Sequence, residues 1–181
     1  MKRLLHFAFF DTKLGRCAIV WGDRGVRAIL LPEADEAATR ERLIGRHPEA
    51  VESEPTGGIA RAIAALVASV DGLPASLDLI ILDYAGVPPF HRRVYEAARH
   101  LGPGATISYG ELAERVGAPG AARAVGQAMA RNPFPLVVPC HRVVAAGGKP
   151  GGFSAHGGVT TKLWLLRAES EAAGFQLTAK R

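Results

Sequence analysis

Cysteine and histidine stand side by side in the run Pro139-Cys140-His141-Arg142-Val143-Val144. A thiol attacks as thiolate, and with an ordinary pKa of about 8.5 it needs a base or cation beside it at neutral pH. The adjacent imidazole is such a base. Leu136-Val137-Val138 reads as a short apolar strand leading to the pair. Pro139 lacks an N–H and favours an exit from the sheet, which would hold the sulfur at a strand end, and Val143-Val144 resume the strand pattern. By itself a Cys-His pair more often marks a buried structural cysteine, so the elements around it must decide.

Those elements begin after Tyr84-Ala85-Gly86-Val87-Pro88-Pro89, a linker because paired prolines stop regular structure. Phe90, Val94, Ala97 and Leu101 form one apolar helical stripe that ends at Gly102-Pro103-Gly104. Ser108-Tyr109-Gly110-Glu111 has the form of a capping box and predicts a short helix to Val116. After Gly117-Ala118-Pro119-Gly120, a second helix runs from Ala121 to Arg131 and closes at Asn132-Pro133. Helix, short turn, helix is the layout of DNA-reading motifs, and also of an ordinary αα-hairpin. The second helix carries Ala121, Ala122, Ala124, Gly126, Ala128 and Ala130, with polar reach from Arg123, Gln127 and Arg131. So small a surface suits a minor groove, where reading is largely insensitive to sequence.

Ala145-Ala146-Gly147-Gly148-Lys149-Pro150-Gly151-Gly152 is a flexible turn and not a phosphate loop, because proline follows the Gly-Lys where Ser or Thr is required. The last helix runs from Thr160 to Ala173. It sets Glu169 on the face of Leu165 and Leu166, where its carboxylate can point either inward or into water.

Upstream, Leu4 to Phe10, Arg16 to Trp21 and Val26 to Leu31 read as an antiparallel meander. Ala34 to Ile44 and Ile59 to Val70 read as helices and Leu77 to Leu82 as a strand. Cys17 falls in a strand near His6, but two candidate ligands are too few for a metal site, and a core cysteine is the simpler reading. With 181 residues and 48% hydrophobic content the chain can bury a core of its own. Two cysteines make no disulfide framework, which favours a reducing compartment. The opening Met1-Lys2-Arg3-Leu4-Leu5-His6-Phe7 has the start of a signal peptide, but its apolar run breaks at Asp11 and Lys13, so no export signal is read and no span crosses a bilayer. A net charge of +5 and a pI near 9.6 are compatible with a polyanionic partner.

The run Asn132-Pro133-Phe134-Pro135-Leu136-Val137-Val138-Pro139-Cys140-His141-Arg142-Val143-Val144 closely resembles the active-site signature of the O6-alkylguanine-DNA alkyltransferases, the methylated-DNA–protein-cysteine methyltransferases. The resemblance is strong from about residue 90 to 170 and loose before that. It implies an α+β protein: a ribonuclease-H-like α/β domain over 1–84, a helical, winged helix-turn-helix domain over 85–175 that binds DNA and transfers the alkyl group, and a tail at 176–181. It also implies irreversible, single-turnover transfer from O6-alkylguanine, and less readily O4-alkylthymine, in duplex DNA to Cys140. The base is flipped from the minor groove, without metal or other cofactor, by a cytoplasmic monomer, nucleoid-associated in a prokaryote.

Roles carry over by motif position. Cys140 is the nucleophile, His141 its water-linked base, Glu169 the group that orients His141, and Tyr109 the donor to guanine N3. Arg123 fills the gap in the base stack, with Ala121, Ala122, Gly126, Gln127 and Arg131 on the same DNA-facing helix. Asn132 is a hinge, Pro139 belongs with the hinge and substrate pocket, and the carbonyls of Cys140 and Val143 accept from the guanine amino group. Phe153 and Ser154 form the lid, and Ala155-His156 make it look longer than in some relatives. Two rivals stand beside this reading. A non-catalytic lesion sensor or DNA-binding regulator is one, although sensors resembling this family usually replace the cysteine with tryptophan. The other is a cysteine hydrolase built on Cys140, His141 and Glu169, for which the sequence offers no distinct oxyanion hole.

Overall fold

The computed structural model describes residues 4–172, so the tail expected at 176–181 and the end of the last helix at Ala173 lie outside the described residues. The chain divides into two compact units. One holds the chain through Pro88 together with Asn132–Val137, and the other holds Pro89–Arg131 and the chain from Val138 onward.

In the first unit, short apolar runs, continuously buried over Cys17–Val20 in the central strand, build the meander of β1 (Leu5–Thr12), β2 (Gly15–Gly22) and β3 (Gly25–Leu30). A fourth strand, β4 (Ala50–Glu52), pairs parallel to β1 and completes the order β3-β2-β1-β4. Three residues carry no readable alternation, so the sequence predicts nothing there. Helix α1 (Glu36–Arg46) begins later than expected because Asp35 caps it, its Oδ1 accepting from the Ala38 amide at 2.8 Å. Leu43 of α1 packs into a buried cluster with Phe7, Val20 and Leu30, each side chain contributing about 1.5–3 kcal/mol on burial. Helix α2 (Gly57–Val70) buries Ala62, Leu66 and Val70 at a spacing of four.

Two expectations fail in this unit. The strand predicted over Leu77–Leu82 is a single 3-10 turn, Leu77–Leu79, followed by a bridge between Leu82 and Val26. Only that end reaches the edge of β3, where the Ile81 carbonyl accepts from Val26 at 2.8 Å and the Val26 carbonyl from Asp83 at 2.7 Å. Gly25 permits the approach: its φ is +118°, and a Cβ there would stand 2.5 Å from the Ile81 oxygen. Cys17 is also not beside His6. It pairs with Phe10, whereas His6 pairs with Trp21 and hydrogen-bonds Ser53. The Cys17 thiol is wholly buried, and burial pushes its pKa up to about 11 against a hydrogen bond from Thr12. Among the described residues, no cluster of three or more His, Cys, Asp or Glu side chains could hold a metal ion.

The second unit opens with α3 (Pro89–Ala98), which starts on the last residue of the expected linker because proline suits a helix start. It buries Val94, Tyr95 and Ala98, and the Tyr95 hydroxyl donates to the Ala128 carbonyl at 2.7 Å. Then follow β5 (Ile107–Ser108), α4 (Tyr109–Arg115), α5 (Ala122–Ala130), β6 (Val143–Val144), which lies parallel to β5, and α6 (Val159–Ala172). No described helix is long and apolar enough to cross a membrane.

The path into the cysteine differs from the expected strand. Leu136 lies in a turn with φ +74°, and Pro133, Pro135 and Pro139 remove the donors a strand ladder would need. Pro139, with φ −77° and ψ 68°, is the centre of an inverse γ-turn closed by the Cys140 amide on the Val138 carbonyl at 2.8 Å. Cys140–Arg142 then forms one 3-10 turn. The nucleophile candidate therefore sits on a turn, and Val143-Val144 after it take up the predicted pairing.

Candidate active site

Three elements converge on Cys140. Ser108 caps α4 in the predicted manner: its Oγ accepts from the Glu111 amide at 3.1 Å, and Glu111 Oε2 accepts from the Ser108 amide at 2.8 Å. This fixes Tyr109 as the first residue of α4, half-buried, with its ring beside Gly126 of α5 and against Gly151. The β5–β6 pairing holds Val143 close behind the cysteine turn. A cavity of about 610 Å³ opens over the sulfur, lined by Tyr109, Ala122, Arg123, Gly126, Gln127, Met129, Ala130, Cys140, Gly152, Phe153 and Ser154.

Behind Cys140 the polar groups are buried. His141 Nε2 lies 2.7 Å from Glu169 Oε1, and His141 Nδ1 is buried without a protein partner among the described residues. Arg142 Nε stands 3.1 Å from both Glu169 oxygens and Nη2 2.7 Å from Oε1, while Nη1 donates to the Leu101 carbonyl. The Gly104 amide adds a fourth donor group at 3.1 Å. Burial pushes the Glu169 carboxyl up, but hydrogen bonds and charge from His141 and Arg142 outweigh it and hold the pKa at about 2. Burial moves His141 the other way, below its ordinary value, against the pull of Glu169. A neutral imidazole beside an ionised carboxylate donates through Nε2, which leaves the lone pair on Nδ1 as the basic site.

Lys162 of α6 is wholly buried, its Nζ donating to the Val143 carbonyl at 2.6 Å and the Gly152 carbonyl at 3.3 Å. The ammonium lies 5.8 Å from the centre of the Tyr109 ring. Burial lowers its pKa, while the charge of Cys140 raises it, so a cation and the thiol feel one another. The Val143 carbonyl thus already holds one donor, and the Cys140 carbonyl holds the Val143 amide.

Of the expected residues, Cys140, Tyr109, Ala122, Arg123, Gly126, Gln127, Phe153 and Ser154 meet around the cavity, with His141 and Glu169 joined behind it. Ala121 and Arg131 cap the two ends of α5 outside the lining. Asn132 Oδ1 accepts from the Phe134 amide at 2.9 Å where the chain leaves α5, and Pro139 and Val143 support the turn and do not face the cavity. Met129, Arg142 and Lys162 were not anticipated. Lys162 had a signal, since it stands three residues before Leu165 and seven before Glu169, on one helical stripe.

The family model described as "6-O-methylguanine DNA methyltransferase, DNA binding domain" matches residues 89–171. The methylated-DNA–protein-cysteine methyltransferase of Mycobacterium leprae is 45% identical over 175 residues, covering 97% of this chain and 98% of that protein. The protein of the same name from Methanothermobacter thermautotrophicus is 37% identical over 151 residues, 83% of this chain and 77% of that one. The crystal structure of Mycobacterium tuberculosis OGT in complex with DNA is similar at a TM-score of 0.76 and 31% identity, covering 92% of this chain and 94% of that one.

Proposed function

The chain belongs to the methylated-DNA–protein-cysteine methyltransferase family of DNA repair proteins, and we propose that it moves the alkyl group of O6-alkylguanine in duplex DNA irreversibly onto Cys140. The observation that carries this reading is Cys140 in the lining of a cavity of about 610 Å³, backed by His141, whose pKa burial lowers and whose Nδ1 has no protein partner among the described residues. One water between Nδ1 and the thiol would let His141 accept the proton. The thiolate sulfur then bonds the alkyl carbon as the carbon–O6 bond breaks, and the electron pair stays on guanine. The thiol proton returns to the purine, so no net charge remains and no cofactor is consumed. Tyr109, at the cavity wall, would donate to N3 as charge develops on the leaving base, with the Lys162 ammonium favouring both anions. A thioether is stable, so each molecule acts once.

The second unit is read as a winged helix-turn-helix domain that presents α5 to the minor groove. Ala122, Gly126 and Ala130 allow close approach, and Arg123 takes the place of the extruded nucleotide. Asn132 would serve as the hinge between that helix and the cysteine turn. The first unit is read as ribonuclease-H-like, supported by a meander followed by a strand parallel to β1. We further infer a monomer working in a reducing cytoplasm, and slower action on O4-alkylthymine. A hydrolase is disfavoured because the Cys140 amide, the natural oxyanion donor, is tied to the Val138 carbonyl.

Duplex DNA carrying one O6-methylguanine, digested to nucleosides after treatment, tests the reading. Guanine should reappear in proportion to protein, one mole per mole and no more. Continued turnover, or tight binding with the lesion intact, would reject it.

A further inference from the structure

Cys140, His141 and Arg142 are consecutive residues of one 3-10 turn, yet they divide between two surroundings. Cys140 lines the cavity, whereas His141 and Arg142 both meet the buried carboxylate of Glu169. Arg142 is only 6% exposed, and its guanidinium is held on two sides. Its Nε–Nη2 edge lies along the carboxylate, with Nε 3.1 Å from each oxygen and Nη2 2.7 Å from Oε1, and Nη1 donates to the Leu101 carbonyl. The backbone beneath is fixed as well, since the Arg142 amide donates to the Pro139 carbonyl at 2.9 Å. Oε1 is thus shared by Arg142 Nη2 and His141 Nε2, and Oε2 by Arg142 Nε and the Gly104 amide. A carboxylate gripped at both oxygens cannot turn without breaking several charge-assisted bonds, so Oε1 stays aimed at His141.

The same contact balances charge. A buried carboxylate alone against a buried imidazole would draw a proton onto the ring, because an opposite charge in contact favours the charged form. A guanidinium keeps its proton at any ordinary pH, so it offsets the carboxylate permanently. Burial holds His141 below its ordinary pKa; Glu169 pulls the other way, and the charges of Arg142 and Lys162 oppose that pull. Lys162 donates to the Val143 and Gly152 carbonyls, whereas Arg142 touches the carboxylate itself. We propose that Arg142 is a positioning residue for His141: its fork holds the Glu169 carboxylate against Nε2 and offsets its charge, so that the imidazole meets the Cys140 thiol uncharged, with Nδ1 as the accepting side. This rests on the alkyl-transfer reading, in which His141 takes the thiol proton.

Two variants separate charge from packing. Arg142→Met removes the charge at similar length, whereas Arg142→Lys keeps the charge and loses the fork. Each is assayed by single-turnover transfer from methylated duplex between about pH 5 and about pH 9, with nitrogen NMR of histidine-labelled protein reading the His141 ring directly. Thermal melting checks folding. Removing a cation that opposes protonation should raise both the acid limb of the rate profile and the His141 titration in R142M by about one pH unit or more, and R142K should keep both within about half a unit of wild type. A folded R142M whose limb and titration match wild type overturns the proposal even at a lower rate, because a merely structural arginine costs rate or stability without moving the proton. An equal rise in R142K overturns the charge balance too. Should R142M not fold, E169Q is compared with the double variant E169Q/R142M, in which both members of the buried pair are gone. Loss of the unbalanced guanidinium must then raise the His141 titration by about one unit, and no rise overturns the proposal. Wild-type protein that transfers nothing counts against the alkyl-transfer reading itself, whereas the NMR titration bears on Arg142 with or without transfer.

Discussion

His141 Nε2 lies 2.7 Å from Glu169 Oε1, inside a pocket where both side chains are buried. That bond decides which imidazole nitrogen can act as base. Glu169→Gln should reverse it, because an amide can donate to Nε2 and drive the proton to Nδ1, the side needed to accept from the thiol. Transfer should slow on the order of a hundredfold, the scale of a lost general base. Arg142 would also lose its carboxylate, destabilising the fold by about 3 kcal/mol. Single-turnover kinetics and thermal melting read the two effects separately, and an unchanged rate would exclude the relay.

Acid should unfold the protein in two stages. His141 has its pKa lowered by burial, so the unfolded chain binds its proton first, and that contribution to stability is lost as pH falls below the ordinary 6.5. Glu169 is held at about 2 against an ordinary 4.5, so its contribution is present above 4.5 and is lost as pH falls toward 2. That second loss is on the order of 3 kcal/mol. Melting temperature should decline below pH 6.5, and Glu169→Gln should flatten the limb below pH 4.5. A wild-type curve level from pH 7 to 3 would contradict both assignments.

Gly151→Ala should injure catalysis more than binding. Gly151 has φ +70°, and a Cβ there would lie 3.1 Å from both Cε2 and the hydroxyl of Tyr109. The backbone strain costs about 1–2 kcal/mol, and the ring must shift away from its place in the cavity wall. Transfer should fall roughly tenfold while affinity for undamaged duplex, followed by gel shift, stays the same. Equal loss of both would point to a collapsed loop.

Arg123 is exposed and lines the cavity, and in the proposed docking it would support the extruded base. Arg123→Ala should slow transfer from duplex about tenfold or more, yet leave transfer from the free base O6-methylguanine within about twofold. Binding to duplex should weaken steeply with salt, through phosphate contacts. A flat salt titration would count against docking through α5.

The chemistry was more legible than its mounting. Capping at Ser108 and Glu111 and the α5 span follow from local rules, and the structure reproduces both. Cys140 and His141 gain their meaning from a long motif that periodicity cannot supply. The approach through Leu136 reads as strand from its apolar run, but Pro133, Pro135 and Pro139 flanking that run remove ladder donors, and Leu136 takes a turn with φ +74°. Glu169 could not be assigned from its helix alone, since four donor groups from His141, Arg142 and Gly104 bring it inward over long sequence distances. Lys162 was overlooked because a lysine among apolar residues reads as solvated unless carbonyls such as those of Val143 and Gly152 are known to await it.

The most direct test of the account is the intact mass of the protein after mixing with duplex DNA that carries one O6-methylguanine, followed by peptide mapping, with Cys140→Ser as control. The account predicts one added methyl, located on Cys140, and none in the control. An unchanged mass in protein that has bound the lesion, or a methyl on any other residue, would contradict it.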